Sequence, residues 1–191
     1  MSLKPYFKVL QNHDFTKLWI SQIASQLTNY LLSFVVLIRV FALTGSSMAV
    51  GVIISVFGLA TIFFGSLAGV YSDRFDRKWI LTVINFAQAV TVAFFLFFDS
   101  YLAMVIIAFI YSALNQFYLP AEAPSIPDLV PKSEILIANS YFASTGSLSL
   151  IVGFASAGPL YIFFGASGVY IIAVALLLIA GFATLFLPPL S

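Results

Sequence analysis

Cysteine is absent from this chain, and charged side chains are scarce. Without cysteine, the sequence excludes disulfide bonds and thiol chemistry. Charged residues make up 8% of the 191 residues and hydrophobic residues 62%, so the polar surface is too small to cover a water-soluble globule. The formal net charge is +1, and no pattern of bases and aromatics indicates a nucleic-acid partner. We therefore expect the chain to lie in a lipid bilayer.

The motifs of membrane enzymes and of ATP-driven pumps are also missing. The sequence contains no HExxH, no GxSxG, no paired carboxylates inside an apolar run and no nucleotide-binding loop. We therefore expect no enzymatic activity, no cofactor and no bound metal.

Long apolar runs predict six membrane-spanning helices. A span needs roughly 20 mostly apolar residues, and polar or turn-forming residues divide the sequence into runs of that length. The predicted spans cover about residues 15–43, 49–71, 79–98, 101–119, 135–163 and 169–187. The first run is too long for a signal-peptide core and has no small-residue cleavage pattern, so we expect it to be retained. The predicted fold class is all-α, a polytopic membrane protein forming one domain over residues 1–191.

Prolines concentrate between the fourth and fifth predicted spans. Four of the eight prolines lie there, at positions 120, 124, 127 and 131. Because proline removes a backbone N–H and clashes with the preceding turn, this density predicts a non-helical connection.

The basic residues predict the orientation in the membrane. Lysine and arginine stay preferentially on the cytoplasmic side. With six spans, one side receives the N-terminal tail and the loops after spans two and four, which carry Lys4, Lys8, Lys17, Arg74, Arg77, Lys78 and Lys132. Arg39, near the other end of span one, is expected to extend its side chain to the interface. We therefore expect a multi-pass protein of the cell (inner or plasma) membrane with both termini in the cytoplasm.

The stretch GVYSDRFDRKWIL, residues 69–81, concentrates charge between two apolar runs. A short inside loop whose bases set the topology would explain Arg74, Arg77 and Lys78, but not the acids. Asp73 falls where one helix ends and Asp76 where the next begins, a position that the helix dipole favours for an acid. Asp73 and Arg77 are four residues apart and could pair. Such charges can latch one helix end against another.

This stretch resembles the loop between helices two and three of the major facilitator superfamily, whose pattern is G-x-L-a-D-r-x-G-r-k-x-x-l. The matching residues are Gly69, Asp73, Arg74, Arg77, Lys78 and Leu81. Asp76 replaces the second glycine, as in the drug, macrolide and siderophore exporters of the superfamily, and Tyr71 replaces a leucine. NHDFTKLW at residues 12–19, PAEAPSIPDLVPKSEILIANS at residues 120–140 and Gly158-Pro159 are similar to further exporter segments.

The resemblance implies one half of a major facilitator fold, built of 3+3 inverted repeats. It assigns a gate to this stretch, and we call its connecting residues 73–76 the charged turn. In this gate the loop acid binds the loop arginine and a helix of the other half. The implied gating residues are Gly69, Asp73, Arg74, Asp76, Arg77 and Lys78, joined by Glu122 at the inner end of span four. The implied partners are the lipid bilayer, a small-molecule substrate and the missing C-terminal six-helix half or a second copy of this chain.

Amide side chains inside the spans are candidates for the substrate path. Buried amides cost several kcal/mol when unpaired, roughly 2–7 by transfer scales, so they should face a cavity or one another. The candidates are Gln22, Gln26 and Asn29 on one face of span one, Asn115 and Gln116 in span four, and Asn139 in span five. They could equally be hydrogen bonds that hold the bundle together. No acid lies in mid-span, so no proton carrier is expected in this half.

Small residues predict close helix packing. Gly65 and Gly69 are four apart in span two, and Gly153 lies in a series of small residues in span five. Gly158 adds flexibility, and Pro159 is expected to kink the outer end of that span.

Two functions remain open from the sequence. The first is a secondary active transporter, here its N-terminal half, that exports a small lipophilic or siderophore-like compound by rocking-type alternating access. The alternative is a non-transporting six-helix membrane protein, either an assembly factor or a truncated remnant.

Overall fold

The computed structural model describes residues 4–190, and all of its regular elements there are helical. Residues 1–3, the side chains of Lys4 and Pro5, and Ser191 lie outside the described structure. The helices are α1 (Lys4–Leu10), α2 (His13–Thr44), α3 (Ser47–Ser72), α4 (Arg77–Ala93) with a 3₁₀ turn (Phe94–Leu96), α5 (Tyr101–Asn115), α6 (Tyr118–Leu129) and α7 (Ile135–Leu185). The predicted all-α class is confirmed.

Within residues 4–190, five helical stretches are long and apolar enough to cross a membrane. They are His13–Thr44, Ser47–Ser72, Arg77–Leu96, Tyr101–Leu129 and Lys132–Leu185. The last holds two of the predicted spans, because the backbone leaves helical geometry at Gly165 (φ 66°, ψ −179°). That conformation is essentially restricted to glycine, so Gly165 separates α7 into a first half, residues 135–164, and a second half, residues 166–185.

The long helix α7 packs against two other helices. Its first half lies along α2 and its second half along α4, while α3 packs against α5. The interior is apolar: Phe95, for example, stacks on Tyr170 with ring centroids 5.0 Å apart. Large apolar side chains also cover the outside, such as Ile62 (74% exposed) and Ile162 (79% exposed). Apolar side chains on both sides of the helices fit a protein surrounded by lipid.

One end of the bundle carries most of the charges, and we name it the charged end. It contains α1, the connections 73–76 and 130–134, and residues 186–190. Contacts tie these parts together: Lys8 pairs with Glu134 at 2.7 Å, Asn12 donates to the Leu129 carbonyl at 2.6 Å, and Lys17 donates to the Phe186 carbonyl at 2.9 Å.

The opposite end contains the turns at Gly45, residues 97–100 and Gly165. Arg39, whose side chain was expected to extend to the interface, forms an ion pair with Asp99 at 2.9 Å. This contact joins α2 to the start of α5.

The prediction of a non-helical, proline-rich connection after span four is wrong for residues 118–129. These residues form α6, with Pro124 and Pro127 inside it, and the chain turns earlier, at Gln116 and Phe117. Pro120 lies in the first turn, where a missing N–H costs no intrahelical bond.

The proline-rich helix is stabilised by its neighbours. Pro124 has no N–H to offer the Pro120 carbonyl, and the Ser72 hydroxyl donates to that carbonyl instead, at 2.7 Å. Arg77 donates to the carbonyl of Pro124 at 3.1 Å. Ser72 therefore satisfies the Pro120 carbonyl, which has no N–H donor four residues on, and Arg77 adds a second contact between α4 and α6.

Candidate functional site

The charged turn links the end of α3 to the start of α4. Asp73 caps α3, where its N–H reaches the Gly69 carbonyl at 3.2 Å. Asp76 caps the N-terminus of α4, where its carboxylate accepts the Lys78 N–H at 2.9 Å. An acid at this position satisfies an otherwise unpaired N–H and faces the positive end of the helix dipole. The backbone of Asp73 thus ends α3, and the carboxylate of Asp76 stabilises the start of α4.

Arg77 joins α4 to α6. Its guanidinium lies 3.2 Å from Asp128, in addition to the bond to the Pro124 carbonyl. Within residues 4–190, Asp73 forms no ion pair, so the pairing of Asp73 with Arg77 is not formed in this conformation. The Asp73 and Arg74 side chains are exposed. Lys78 lies over the Trp79 ring, 5.4 Å from its centroid.

Asp76 also holds the segment that follows α7. Its carboxylate accepts the Leu190 N–H at 3.0 Å, and the Arg77 N–H donates to the Leu190 carbonyl at 3.1 Å. A glycine at position 76 would have no carboxylate to accept the Lys78 N–H or the Leu190 N–H. A cavity of about 350 Å³ lies here, lined by Ser72, Asp73, Arg74, Phe75, Asp76, Arg77, Pro189 and Leu190.

A buried polar cluster lies beneath the charged end, between α2, α4 and α6. Ser21 and Tyr118 share a hydrogen bond of 2.9 Å, and Asn85 donates to the Ser21 hydroxyl at 3.2 Å. Glu122, one turn beyond Tyr118, interacts with the Tyr118 hydroxyl and is 2% exposed. The structure therefore places Glu122 in this cluster, whereas the acid that forms an ion pair with Arg77 is Asp128.

Two of the substrate-path candidates lie beside this cluster. Gln26 and Asn115 line a cavity of about 100 Å³ together with Ser25, Tyr118 and Leu119. Gln88 donates to the Asn115 side chain at 3.3 Å. Tyr118 thus borders both the cavity and the buried polar cluster.

The other candidates are dispersed. Gln22 donates to the Phe142 carbonyl at 3.1 Å, and Gln116 bonds the Ser112 carbonyl of its own helix at 3.3 Å. Asn29 is half-buried on α2, and Asn139 is exposed on α7. These four side chains do not converge on the cavity of Gln26 and Asn115.

Sequence reasoning missed two polar residues of α4. Asn85 and Gln88 are both 0% exposed. Asn85 donates to Ser21 on α2, and Gln88 donates to the candidate Asn115 on α5. Thr82, Asn85 and Gln88 follow one another at three-residue spacing inside an apolar run. A polar stripe at that spacing indicates one helix face, and it could have revealed the cluster.

The glycines predicted to allow close helix packing differ in how much space surrounds them. A Cβ on Gly153 would lie 2.6 Å from the Tyr30 Cβ, so α2 and α7 approach each other closely there. Added Cβ atoms on Gly65, Gly69 and Gly158 would meet nothing within 4 Å among the described residues. Pro159 lies inside α7, and the non-helical residue of α7 is Gly165.

Comparison with known proteins places these features in a family context. The model of the Major Facilitator Superfamily matches residues 18–191. The chain is 27% identical over 186 residues to the uncharacterized MFS-type transporter YfiS of Bacillus subtilis, covering 97% of this chain and 44% of that protein. It is 31% identical over 153 residues to macrolide efflux protein A of Streptococcus pyogenes, covering 77% of this chain and 38% of that protein. The chain thus spans about two fifths of the length of these curated relatives.

Proposed function

Because the chain belongs to the Major Facilitator Superfamily, we propose that it forms the N-terminal six-helix half of a secondary active transporter. The chain is a multi-pass membrane protein, and members of the superfamily are transporters rather than enzymes. Its partner in this proposal is a C-terminal six-helix half or a second copy of the chain. The relatives are more than twice as long as the matched region, which supports this arrangement.

The proposed cargo is a small lipophilic compound of the macrolide type, moved out of the cell; a siderophore-like compound is the second candidate. The observation that carries this proposal is the 31% identity to macrolide efflux protein A. The cavity of Gln26 and Asn115 would form part of the substrate path. It offers the amide groups of Gln26 and Asn115 beside the hydroxyls of Ser25 and Tyr118.

The charged turn is the proposed gate. Arg77 and Ser72 hold α6 to the turn, while Asp73 is exposed and available to a helix of the other half. With that contact made, the charged end is closed and the transporter faces outward. Breaking it lets the two halves rock about the central path and open the charged end.

The supporting residues keep the turn in shape. The Gly69 carbonyl accepts the Asp73 N–H, and the Asp76 carboxylate holds residue 190, in the segment after α7. Arg74 and Lys78 add positive charge beside Asp73. Under the positive-inside rule, that charge supports the proposal that the charged end lies in the cytoplasm and the protein in the cell membrane.

The test is export of erythromycin, a macrolide, by cells that express the protein as its gene encodes it. We expect lower accumulation of radiolabelled erythromycin than in cells with an empty vector. Gln26→Ala should raise accumulation, whereas Asn139→Ala, an exposed amide outside the cavity, should not. Accumulation equal to the vector control for both erythromycin and a siderophore would contradict export of these compounds.

A further inference from the structure

A groove lies on the outside of the bundle where α3, α4 and α5 meet beside the charged turn. It has a volume of about 430 Å³ and is lined by four aromatic rings and by aliphatic side chains of α4 and α5. The rings belong to Tyr71, Phe75, Trp79 and Phe117. None of the described residues that line the groove carries a formal charge, so its wall is apolar.

Tyr71, which stands where the family pattern has a leucine, forms one side of this groove. Its ring stacks on Phe75, with centroids 5.3 Å apart, and meets the Phe117 ring edge to face at 6.0 Å. A leucine has no ring to form either contact. Tyr71, Phe75 and Trp79 are each more than half exposed, so these rings present an open apolar surface instead of a packed core.

The groove opens on a different face of the bundle from the proposed substrate path. Leu114 lines the groove, whereas Asn115, the next residue of α5, lines the cavity that it shares with Gln26. Successive residues of an α-helix point about 100° apart, so the two openings lie on different sides of α5. Because the proposed path lies between the two halves, the groove faces the surrounding lipid.

The end of the groove nearest the charged turn carries a positive charge. Lys78 holds its Nζ atom over the Trp79 ring, 5.4 Å from the ring centroid. Neither acid of the turn forms an ion pair with it within residues 4–190. The Asp76 carboxylate accepts two backbone N–H groups, and Asp73 lines the separate cavity at Leu190. An occupant of the groove therefore meets an apolar wall and a cation at one end.

Such a site suits an anionic amphiphile. A cationic guest would bind best over the face of the Trp79 ring, which Lys78 already covers, whereas a phosphate group can pair with the ammonium. Aromatic residues at the end of a span mark the depth of the lipid headgroups, so the groove begins at headgroup level. Basic pockets between spans on the cytoplasmic side bind the headgroups of anionic lipids.

We propose that this groove is a binding site for an anionic phospholipid of the cytoplasmic leaflet. The lipid phosphate pairs with Lys78, and one acyl chain lies along the rings of Tyr71, Phe75 and Trp79. The inference goes beyond the proposed function, because lipid binding needs no transport; only the choice of leaflet rests on the proposed orientation. Since Phe75 belongs to the charged turn, a bound acyl chain restrains the movement of that turn.

Native mass spectrometry measures this binding. The protein as its gene encodes it is titrated in detergent with phosphatidylglycerol, which is anionic, or with phosphatidylcholine of the same acyl chains, which is zwitterionic. We expect the first phosphatidylglycerol to bind more tightly, and Lys78→Gln to weaken its binding about fivefold, the contribution of one lysine near anionic lipid. Lys132→Gln removes the same charge from an exposed position outside the groove and should leave the affinity nearly unchanged.

Phe75→Ala tests the apolar wall. It removes one ring of the groove, so the binding of both lipids should weaken by similar factors, because their acyl chains are the same. Phe63→Ala is the matched control, since it removes an exposed ring of α3 that lies outside the groove. It should change the affinity for neither lipid.

Four outcomes would overturn the proposal. They are equal affinity for the two lipids, equal losses from the two lysine variants, equal losses from the two phenylalanine variants, and displacement of phosphatidylglycerol by erythromycin, which would make the groove a cargo site. The thermal unfolding midpoint of each variant establishes that it is folded. If Phe75→Ala does not fold, the lysine variants and the competition with erythromycin still decide.

The proposed function fails in a different way. A protein that binds phosphatidylglycerol through Lys78 but exports neither erythromycin nor a siderophore would contradict transport of these compounds and leave the lipid site standing. Export without any preference for the anionic lipid would retain the transporter and remove the lipid site.

Discussion

Ser72 and Pro124 form a complementary pair on neighbouring helices. Ser72→Ala leaves the Pro120 carbonyl without its 2.7 Å hydrogen bond, and an unsatisfied buried acceptor costs about 1–3 kcal/mol. Pro124→Ala restores a backbone N–H to that carbonyl. We therefore expect Ser72→Ala to lower the thermal unfolding midpoint in detergent, and to lower it much less in the Pro124→Ala background.

The double-mutant cycle isolates this pair. Ser140→Ala is the matched control, because the Ser140 hydroxyl bonds a carbonyl of its own helix on an exposed face. It should leave the midpoint nearly unchanged. Equal losses from Ser72→Ala in both backgrounds would show that the hydroxyl does not replace the missing proline N–H.

Asp73 should be required for export but not for folding. Its side chain is exposed and forms no ion pair within residues 4–190, so Asp73→Asn removes no contact that stabilises the described part. If Asp73 binds the other half, export of erythromycin should fall by about tenfold or more, since charge-assisted hydrogen bonds are the strong ones. Membrane insertion should be unchanged.

Asp99→Asn provides the comparison, because it removes a carboxylate at the opposite end of the bundle. We expect its export to stay close to that of the wild-type protein. Normal export by Asp73→Asn would remove Asp73 from the proposed gate.

The local geometry of single residues was only partly predictable from the sequence. The cap at Asp76 follows from an acid just before a helix, and the structure shows it. The partner of Arg77 does not follow, because Asp128 lies 51 residues away along the chain and meets it only through helix packing. Burial of Glu122 also depends on neighbouring helices.

At the scale of helices, Gly153 sets how closely α2 approaches α7. A Cβ at this position would lie 2.6 Å from the Tyr30 Cβ, next to the backbone and unable to swing away. Gly153→Ala should therefore separate the helices and cost about 1–3 kcal/mol, as overpacked cores do. The measurement is the thermal unfolding midpoint of the purified protein.

Gly146→Ala is the control on the same helix, where an added Cβ meets nothing within 4 Å and no proline follows. Alanine has the better helix propensity by about 1 kcal/mol, so this variant should be neutral or slightly more stable. Equal midpoints for the two variants would show that the contact with Tyr30 does not limit the packing.

Helices were predictable where composition alone decides them. The apolar runs identify the long helices, because in lipid the backbone N–H and C=O groups can form hydrogen bonds only with one another. The helix α6 was not predictable, since proline removes the N–H that would stabilise it, and the hydrogen bond that replaces the missing Pro124 N–H comes from Ser72 on another helix. The sequence predicted a break between the last two spans, and the structure has it at Gly165. The apolar pattern did not predict the backbone conformation of this residue, a φ of 66°.

At the scale of the whole molecule, charge is distributed unequally between the two ends. The charged end holds the turn of residues 73–76 and the pairs Lys8–Glu134 and Arg77–Asp128, whereas the opposite end has the pair Arg39–Asp99. Between the ends, exposed apolar side chains such as Phe63 and Ile151 cover α3 and α7. Because basic residues favour the cytoplasmic side, this asymmetry supports the proposed orientation with the charged end in the cytoplasm.

Single cysteines can measure that orientation, because the chain has none of its own. Ser133 in the connection 130–134 and Ser167 near Gly165 are both exposed and lie at opposite ends, so Ser133→Cys and Ser167→Cys make the same chemical change. A membrane-impermeant maleimide added to intact cells should label the cysteine at position 167. The cysteine at position 133 should react only after the membrane is permeabilised. The reverse pattern would place the charged end outside, where the proposed gate could not control access from the cytoplasm, and labelling of both in intact cells would show that the orientation is mixed.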